Sequence, residues 1–339
     1  MKIVYLTPRD VYDHKMSRVR FQQITAIGRQ VPVVWTGPGW AHPLCSSAAT
    51  AGSVTASAWD EGLSPAENVA RIRIGDDQAE VVVAYQVGGL AGMHCPVVTQ
   101  FNEGYDVPVV DAAVRDMQAA LVIFHHANDV PLYSFWKNKG IYAVHLPHCV
   151  DVSVFQDFGE EKTIDILCAG NMNSYYYPFR YRLRCLALDW FRKRGYTVMA
   201  LQHPGYSLPP REGTYVGAEF ARLLNRAKLV FTCSMRYNYA LAKYSEIAAC
   251  RSLAVADVPA ERRDFFLNTI LNVEPWMTDA QIVHIVEGIL DDESGELKRR
   301  TAQAFDRTTE HYAMEDYAER FIEACRKLLE DPLFLEGLK

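Results

Sequence analysis

Short apolar runs rich in Val, Ile and Leu alternate with longer amphipathic stretches along almost the whole chain. Runs of the first kind predict strands buried on both faces, and the stretches between them predict crossover helices. In the first half, KIVYLT (2–7), VPVVWTG (31–37), EVVVAYQ (80–86), VVTQF (97–101), ALVIFHH (120–126) and IYAVHL (141–146) are the predicted strands. Helices are predicted over 18–28, 67–74, 106–118 and 130–138, whereas the Ser-, Ala- and Gly-rich stretch 43–62 has no period and predicts a loop. A polar join, PHCVDVSVFQDFGEEK (147–162), interrupts the pattern. The alternation then resumes with strands TIDILCAG (163–170), YTVMALQ (196–202), KLVFTCS (228–234), SLAVAD (252–257) and TILNV (269–273). Helices over 178–194, 216–227 and 242–249 separate them, and from Thr278 the chain is helical over 278–290, 294–312 and 314–329. Such an order predicts an α/β chain of two doubly wound, Rossmann-like units facing each other across a cleft, with a helical C-terminal tail.

Composition narrows the class. The 339 residues are 49% apolar, enough for two cores. A net charge of −6, without a long basic run, gives no signal for duplex nucleic acid or an anionic membrane. No run of 18 apolar residues occurs, and MKIVYLTPRD reads as a strand rather than a leader, so a cytoplasmic protein is expected. The eight cysteines are scattered without a CxxC pair, and Cys168 and Cys250 lie in apolar runs. Buried reduced thiols fit this better than disulfides or zinc.

Ligands of open parallel sheets sit beyond the carboxyl ends of the strands, so the loops there carry the candidate chemistry. In YALAKYSEIAACRSLAVAD (239–257), Lys243 and Glu246 share one helix face. A cation and an acid placed together suit a sugar nucleotide, the ammonium meeting phosphate and the carboxylate a ribose diol; an ordinary surface ion pair is the competing reading. Gly170 and Asn171 can turn sharply after TIDILCAG, with Arg180 and Arg182 on the helix beyond and Tyr175, Tyr176 and Tyr177 between. His203-Pro204 ends the next strand, and Arg236 precedes Lys243. In the first unit, Arg9, Asp10, Asp13, His14, Lys15 and Arg18 follow the opening strand, where an acceptor site or a solvated turn is expected. No GxGxxG occurs there, which argues against a dinucleotide. Glu103 and Asp106 form a carboxylate pair at a strand end. His125 and His126 close the next strand, at most one of them expected towards the ligand side and the other in the core.

Three segments resemble GT-B glycosyltransferases, of the group containing the family 4 and CgeB-like enzymes. LPHCVDVSVF (146–155) is similar to the "PNGVD…F" crossing, KYSEIAACRSLAVAD (243–257) to the donor-site segment "K/R-x-x-E-x-x-A-C-G-x-x-x-x-x-D", and VGAEFARLLNRAKLVF (216–231) to the helix and strand before it. The chain departs from that pattern at Asn238, where the family has an acid, at Arg251 in place of Gly, and in GNMNS, which lacks the usual Arg and Lys. The resemblance implies an acceptor domain over 1–150, a donor domain over 151–312 and C-terminal helices over 313–339 packing back on the first domain. It implies a hexosyl or related transfer from a nucleotide sugar, UDP- or GDP-linked in first expectation, to a carbohydrate or small-molecule acceptor, without cofactor or metal. Gly170, Asn171, Arg180, His203, Arg236, Lys243 and Glu246 are the expected donor residues, and Arg9, Asp10, His14 and His125 the acceptor residues. Glu103, Asp106 and Lys243 are the expected catalytic groups. The alternatives are a GT-B epimerase or hydrolase and a transferase using a CMP-activated acid sugar, to whose His-Pro the dipeptide His203-Pro204 is similar; a homodimer is the expected protein assembly.

Overall fold

The computed structural model describes residues 1–40 and 54–331. The chain divides into two compact units: Met1–Pro147 with Tyr206–Pro209 and the residues from Met314 on, and His148–Gly205 with Pro210–Ala313.

The first unit holds a parallel sheet in the order β3-β2-β1-β4-β5-β6-β7. Its strands are β1 (Ile3–Leu6), β2 (Val33–Thr36), β3 (Val54–Ala56), β4 (Val81–Ala84), β5 (Val97–Phe101), β6 (Ala119–Phe124) and β7 (Tyr142–His145). All four residues of β1, β2 and β4 are buried, as expected for a sheet covered by helices on both sides. The order turns outward in both directions from β1, which places the switch point between β1 and β4. Val54–Ala56 corrects the loop expected over 43–62; three residues are too few to register a period, and β2 supplies the pairing. The rest of that loop up to residue 53 lies outside the described residues. A second correction is α1 (Arg9–His14), a short helix where a polar loop was expected, closed by backbone bonds such as Tyr12 N–H to Pro8 O at 3.0 Å. Helices α2 (Val19–Gln30), α3 (Pro65–Arg71) and α4 (Val107–Met117) follow, with a 3-10 helix at Val130–Lys139. The terminal helix, Met314–Glu330, buries Tyr317, Phe321, Ile322 and Cys325 and packs on α2.

The second unit holds β8 (Ile164–Cys168), β9 (Val198–Ala200), β10 (Ala227–Phe231), β11 (Leu253–Ala256) and β12 (Ile270–Asn272) in the order β12-β11-β10-β8-β9. Side chains alternate between its two cores. Val230, Ala254 and Ala256 join one with helices α6 (Gly217–Arg226) and α7 (Ala242–Ala249). Leu229, Phe231, Leu253 and Val255 join the other with α5 (Pro178–Leu186) and α9 (Asp279–Leu290). One long helix was expected over 178–194; α5 instead continues as a π turn and a 3-10 turn before Gly195 at φ 93°. A short α8 (Arg263–Leu267) and α10 (Glu296–His311) complete the unit, with Met314–Glu330 of the first unit as α11. No helix among the described residues is long and apolar enough to cross a membrane.

Arg251, which stands where the resembling family has glycine, has φ 55° just beyond α7. That left-handed conformation explains the glycine. Here the guanidinium lies 3.1 Å from Asp157 and 4.1 Å from the Phe305 ring, and the carbonyl accepts from Lys162 at 2.6 Å. Arg251→Gly is expected to be about 1 kcal/mol more stable than Arg251→Ala, because both lose the side-chain contacts and only glycine relieves the backbone. Urea denaturation of the two variants measures the difference; equal midpoints would contradict it.

Candidate functional site

Three connections of the second unit converge at the carboxyl end of its sheet. With β9 on one side of β8 and β10 on the other, the switch point lies between β8 and β10. The loop after β8 opens with Gly170 at φ 101°, a conformation that L side chains rarely adopt. A Cβ there would also stand 2.8 Å from Arg180 Nη1. Asn171 turns its side chain back on the loop, accepting from Asn173 N–H at 2.9 Å.

Arg180, in the first turn of α5, is buried and stitches the two switch-point loops together. Nη1 donates to Asn171 O at 3.2 Å and Nη2 to Thr232 Oγ1 at 3.2 Å, with Tyr177 stacked 4.3 Å from Cζ. None of these acceptors is a carboxylate, and Arg180 Nε is buried without a partner among the described residues. A cation held by neutral groups at a strand end is poised for an anion.

His203 stands on the loop after β9, and its Nδ1 accepts from Gly205 N–H at 3.0 Å, so the neutral ring carries its proton on Nε2. Burial lowers the imidazole pKa, and the charges of Lys243, Arg211 and Arg180 lower it further. Lys243 and Glu246 sit half-buried on α7 as an ion pair, Nζ to Oε2 at 2.5 Å, with Phe220 4.3 Å beneath the ammonium. Arg236 lies apart on the exposed rim, stacked 4.2 Å over Tyr175. Its backbone N–H donates to Tyr176 O at 2.9 Å, which joins the loops after β8 and β10. Arg182 is committed elsewhere, to Asp279 at 2.7 Å and Met277 O at 2.7 Å.

The frame beneath these groups went unread in the sequence. Asp257, the last residue of the resembling segment, accepts from Ser234 N–H at 2.8 Å and from the Ser234 hydroxyl, and Tyr244 of α7 donates to its carbonyl at 2.9 Å. Burial raises the Asp257 pKa, partly countered by those donors. Glu261 accepts from Ala240 N–H at 2.7 Å. Together they fix the β10–α7 connection, where Met235 and Asn238 both have positive φ. Arg211 was likewise missed, since a lone arginine in a polar loop carries no spacing signal.

In the first unit the expected residues have dispersed roles. Arg9 pairs with Asp13 at 2.8 Å and lies 4.7 Å from the Trp40 ring. Asp10 and His14 share an i,i+4 contact on α1, Nδ1 to O at 2.9 Å. Asp106 caps α4, accepting from Val109 N–H at 3.4 Å. His125 and His126 are both buried, so neither turns outward. Glu103 differs: half-buried, its carboxyl pKa is raised by burial, an effect opposed by His126 and reinforced by Asp129. Next to it Gly104 is wedged where a Cβ would meet Phe124 at 2.6 Å, and its N–H donates to Asp129 at 2.7 Å. Among the described residues no group of three His, Cys, Asp or Glu side chains is arranged to hold a metal, and Cys95, Cys168, Cys185, Cys233, Cys250 and Cys325 are free thiols.

No protein-family model matches the chain, and no curated protein sequence does. Solved structures match it over nearly its whole length. A trehalose-6-phosphate synthase structure, studied with bisubstrate glycomimetics, aligns with a TM-score of 0.62 at 12% identity, covering 96% of this chain and 99% of that one. HepE from Anabaena, in complex with UDP and glucose, aligns at 0.60 and 11% identity, covering 97% and 100%. A glycosyltransferase from Rickettsia africae ESF-5 aligns at 0.57 and 11%, covering 97% and 99%. The chain has the GT-B fold.

Proposed function

We propose that the protein is a glycosyltransferase whose second unit binds a nucleotide-sugar donor, UDP- or GDP-linked, and whose first unit holds the acceptor. The observation that carries this reading is Arg180, buried beside the Gly170 turn at the β8–β10 switch point with only neutral acceptors around its guanidinium. Backbone N–H groups and cations at a strand–helix junction suit a diphosphate. The neighbours named above, one of them holding UDP and glucose, support the same reading through their fold. In this proposal Lys243 and Arg180 neutralise the departing nucleotide, so that no metal is assigned that task. Glu246 accepts from the ribose diol, with Arg236 at the rim. Arg9, Asp10 and His14 contribute to the acceptor side. Asp106 and His125 act there through the backbone they hold, since the first caps α4 and the second is buried.

A thermal-shift screen against UDP-, GDP-, ADP-, dTDP- and CMP-sugars tests the reading. A ligand at 100 times its dissociation constant adds about 2.7 kcal/mol of apparent stability. Stabilisation by none of them at millimolar concentration would sink the proposal.

His203 gives the binding a pH signature. In the free protein its pKa lies below the usual 6.5. A bound diphosphate favours the imidazolium and raises that pKa, so the complex holds more protons than the free protein. Affinity for a nucleotide sugar is expected to rise as pH falls through the bound-state pKa, by about tenfold for each pKa unit separating the two states. Calorimetry in buffers of different ionisation enthalpy should detect proton uptake; proton release would contradict it.

Glu103 is assigned the acceptor proton if transfer inverts the sugar. Its raised pKa makes it a stronger base than an ordinary carboxylate. The rate is then expected to fall with decreasing pH through a carboxyl pKa above the usual 4.5, and this limb should vanish in Glu103→Gln. Persistence of the limb in that variant would remove Glu103 from the role.

A further inference from the structure

The first unit carries a second buried guanidinium in a position parallel to that of Arg180. Arg20, in the first turn of α2, is 3% exposed. Nη1 donates to Gln100 Oε1 at 2.7 Å, to Gln23 Oε1 at 3.4 Å and to His125 Nε2; Nη2 donates to Asn102 Oδ1 at 2.7 Å. His125 Nδ1 lies 2.8 Å from Leu146 O, so it donates there while Nε2 accepts, and the ring is neutral. Every acceptor of Arg20 is therefore uncharged, and no carboxylate pairs with it among the described residues. Its Nε is buried without a partner.

Polar groups on β1 and β2 are in the same condition. Tyr5 Oη, Thr7 Oγ1 and Trp35 Nε1 are buried at the carboxyl ends of β1 and β2 with no hydrogen-bond partner among the described residues. Tyr5 and Trp35 pair across the strands, their rings 5.4 Å apart. Arg20 Cζ lies 6.0 Å from the Tyr85 ring, which follows β4 across the switch point. Burial holds the Tyr5 phenol protonated far above its ordinary range, so it is a donor. Ring contacts link the two: the Phe21 ring lies 6.5 Å from that of Tyr5 and 6.2 Å from that of Tyr85, the ring Arg20 neighbours.

Unpartnered buried donors are uncommon, and a buried charge without a counter-charge is costlier still. A trapped water would satisfy the donors and leave the charge. An oxyanion would satisfy both. We propose that the β1–β4 junction of the first unit binds a small oxyanion, phosphate or carboxylate, through Arg20 and the Tyr5 hydroxyl, with Thr7 and Trp35 in support. Under the glycosyltransferase reading this is the acid group of the acceptor; that assignment rests on the reading, whereas the oxyanion binding does not.

The melting temperature of the full chain, followed in inorganic phosphate and in acetate against sodium chloride at equal ionic strength, tests it. Wild type is expected to gain a saturable stabilisation from at least one of the two. Tyr5→Phe removes only a hydroxyl that has no protein partner, so the chain should fold, and the midpoint concentration should rise about tenfold. Lys193→Ala, at an exposed cation of the second unit outside the donor site, should leave the midpoint unchanged. An absent shift in wild type, or an unchanged midpoint in Tyr5→Phe, would overturn the inference. A shift abolished by Lys243→Ala would also overturn it by moving the anion to the second unit, and would leave the donor reading intact.

Discussion

Replacing Lys243 with Ala is expected to lower kcat/KM for the nucleotide sugar by roughly ten- to a hundredfold. The ammonium is half-buried on α7, 2.5 Å from Glu246, and its charge adds to the burial that lowers the His203 pKa. A charge-assisted hydrogen bond to a departing phosphate contributes about 1.5–3 kcal/mol, and each 1.4 kcal/mol is a factor of ten in rate. Because negative charge grows on the leaving group as the bond breaks, the loss should fall more on kcat than on KM. Lys243→Arg should recover part of it, since charge is kept and only geometry changes. Glu246→Ala should act differently: a carboxylate on the ribose contributes equally in ground and transition states, so KM rises while kcat holds. Wild-type kinetics in both alanine variants would remove α7 from the site. A lone surface ion pair would give that outcome, and such pairs contribute about 0–1 kcal/mol.

Gly170→Ala is expected to cost about 2–4 kcal/mol of stability in the second unit and to abolish donor binding. Two effects add. A non-glycine residue at φ 101° carries roughly 1–3 kcal/mol of backbone strain. The new Cβ would also sit 2.8 Å from Arg180 Nη1 and push a buried guanidinium off Asn171 O. Displacing a buried cation from its acceptors costs a further few kcal/mol unless it reaches water. The control is Gly213→Ala: that glycine has φ 70° with nothing within 4 Å of the added Cβ, so backbone strain acts alone. Denaturation curves should therefore shift more for Gly170→Ala than for Gly213→Ala. Equal shifts would mean that Arg180 moves aside without penalty.

Much of the architecture was legible because strands buried on both faces produce unbroken apolar runs. Val81–Ala84 and Val97–Phe101 fall within or on their predicted bounds, and α7 coincides with its predicted span. What escaped was too short or too dependent on distant partners. Val54–Ala56 has three residues and forms by pairing with β2. Helix α1 lies in a segment so polar that its bonds looked like those of a turn. The break of 178–194 into α, π and 3-10 turns leaves no trace in a pattern of apolar spacing.

The site was legible unevenly for the same reason. Lys243 and Glu246 are three residues apart, and local spacing sufficed to put them together. Arg180 is expected at the donor side from its place beyond the β8 loop, but its burial was not legible, because only the fold brings Thr232, 52 residues away, under its guanidinium. The difference between Arg180 and Arg182 illustrates the limit. They are two residues apart on one helix, yet one stitches the switch point and the other clasps Asp279. Arg251 stands where the resembling segment has glycine, and its backbone angle is one that favours glycine.

The most direct measurement is a crystal structure of the protein soaked with UDP or GDP. The account predicts the diphosphate within about 3 Å of Lys243 Nζ and of backbone N–H groups at Gly170 and Asn171, with the ribose against Glu246. A well-ordered nucleotide bound away from α7 and the Gly170 turn would contradict it.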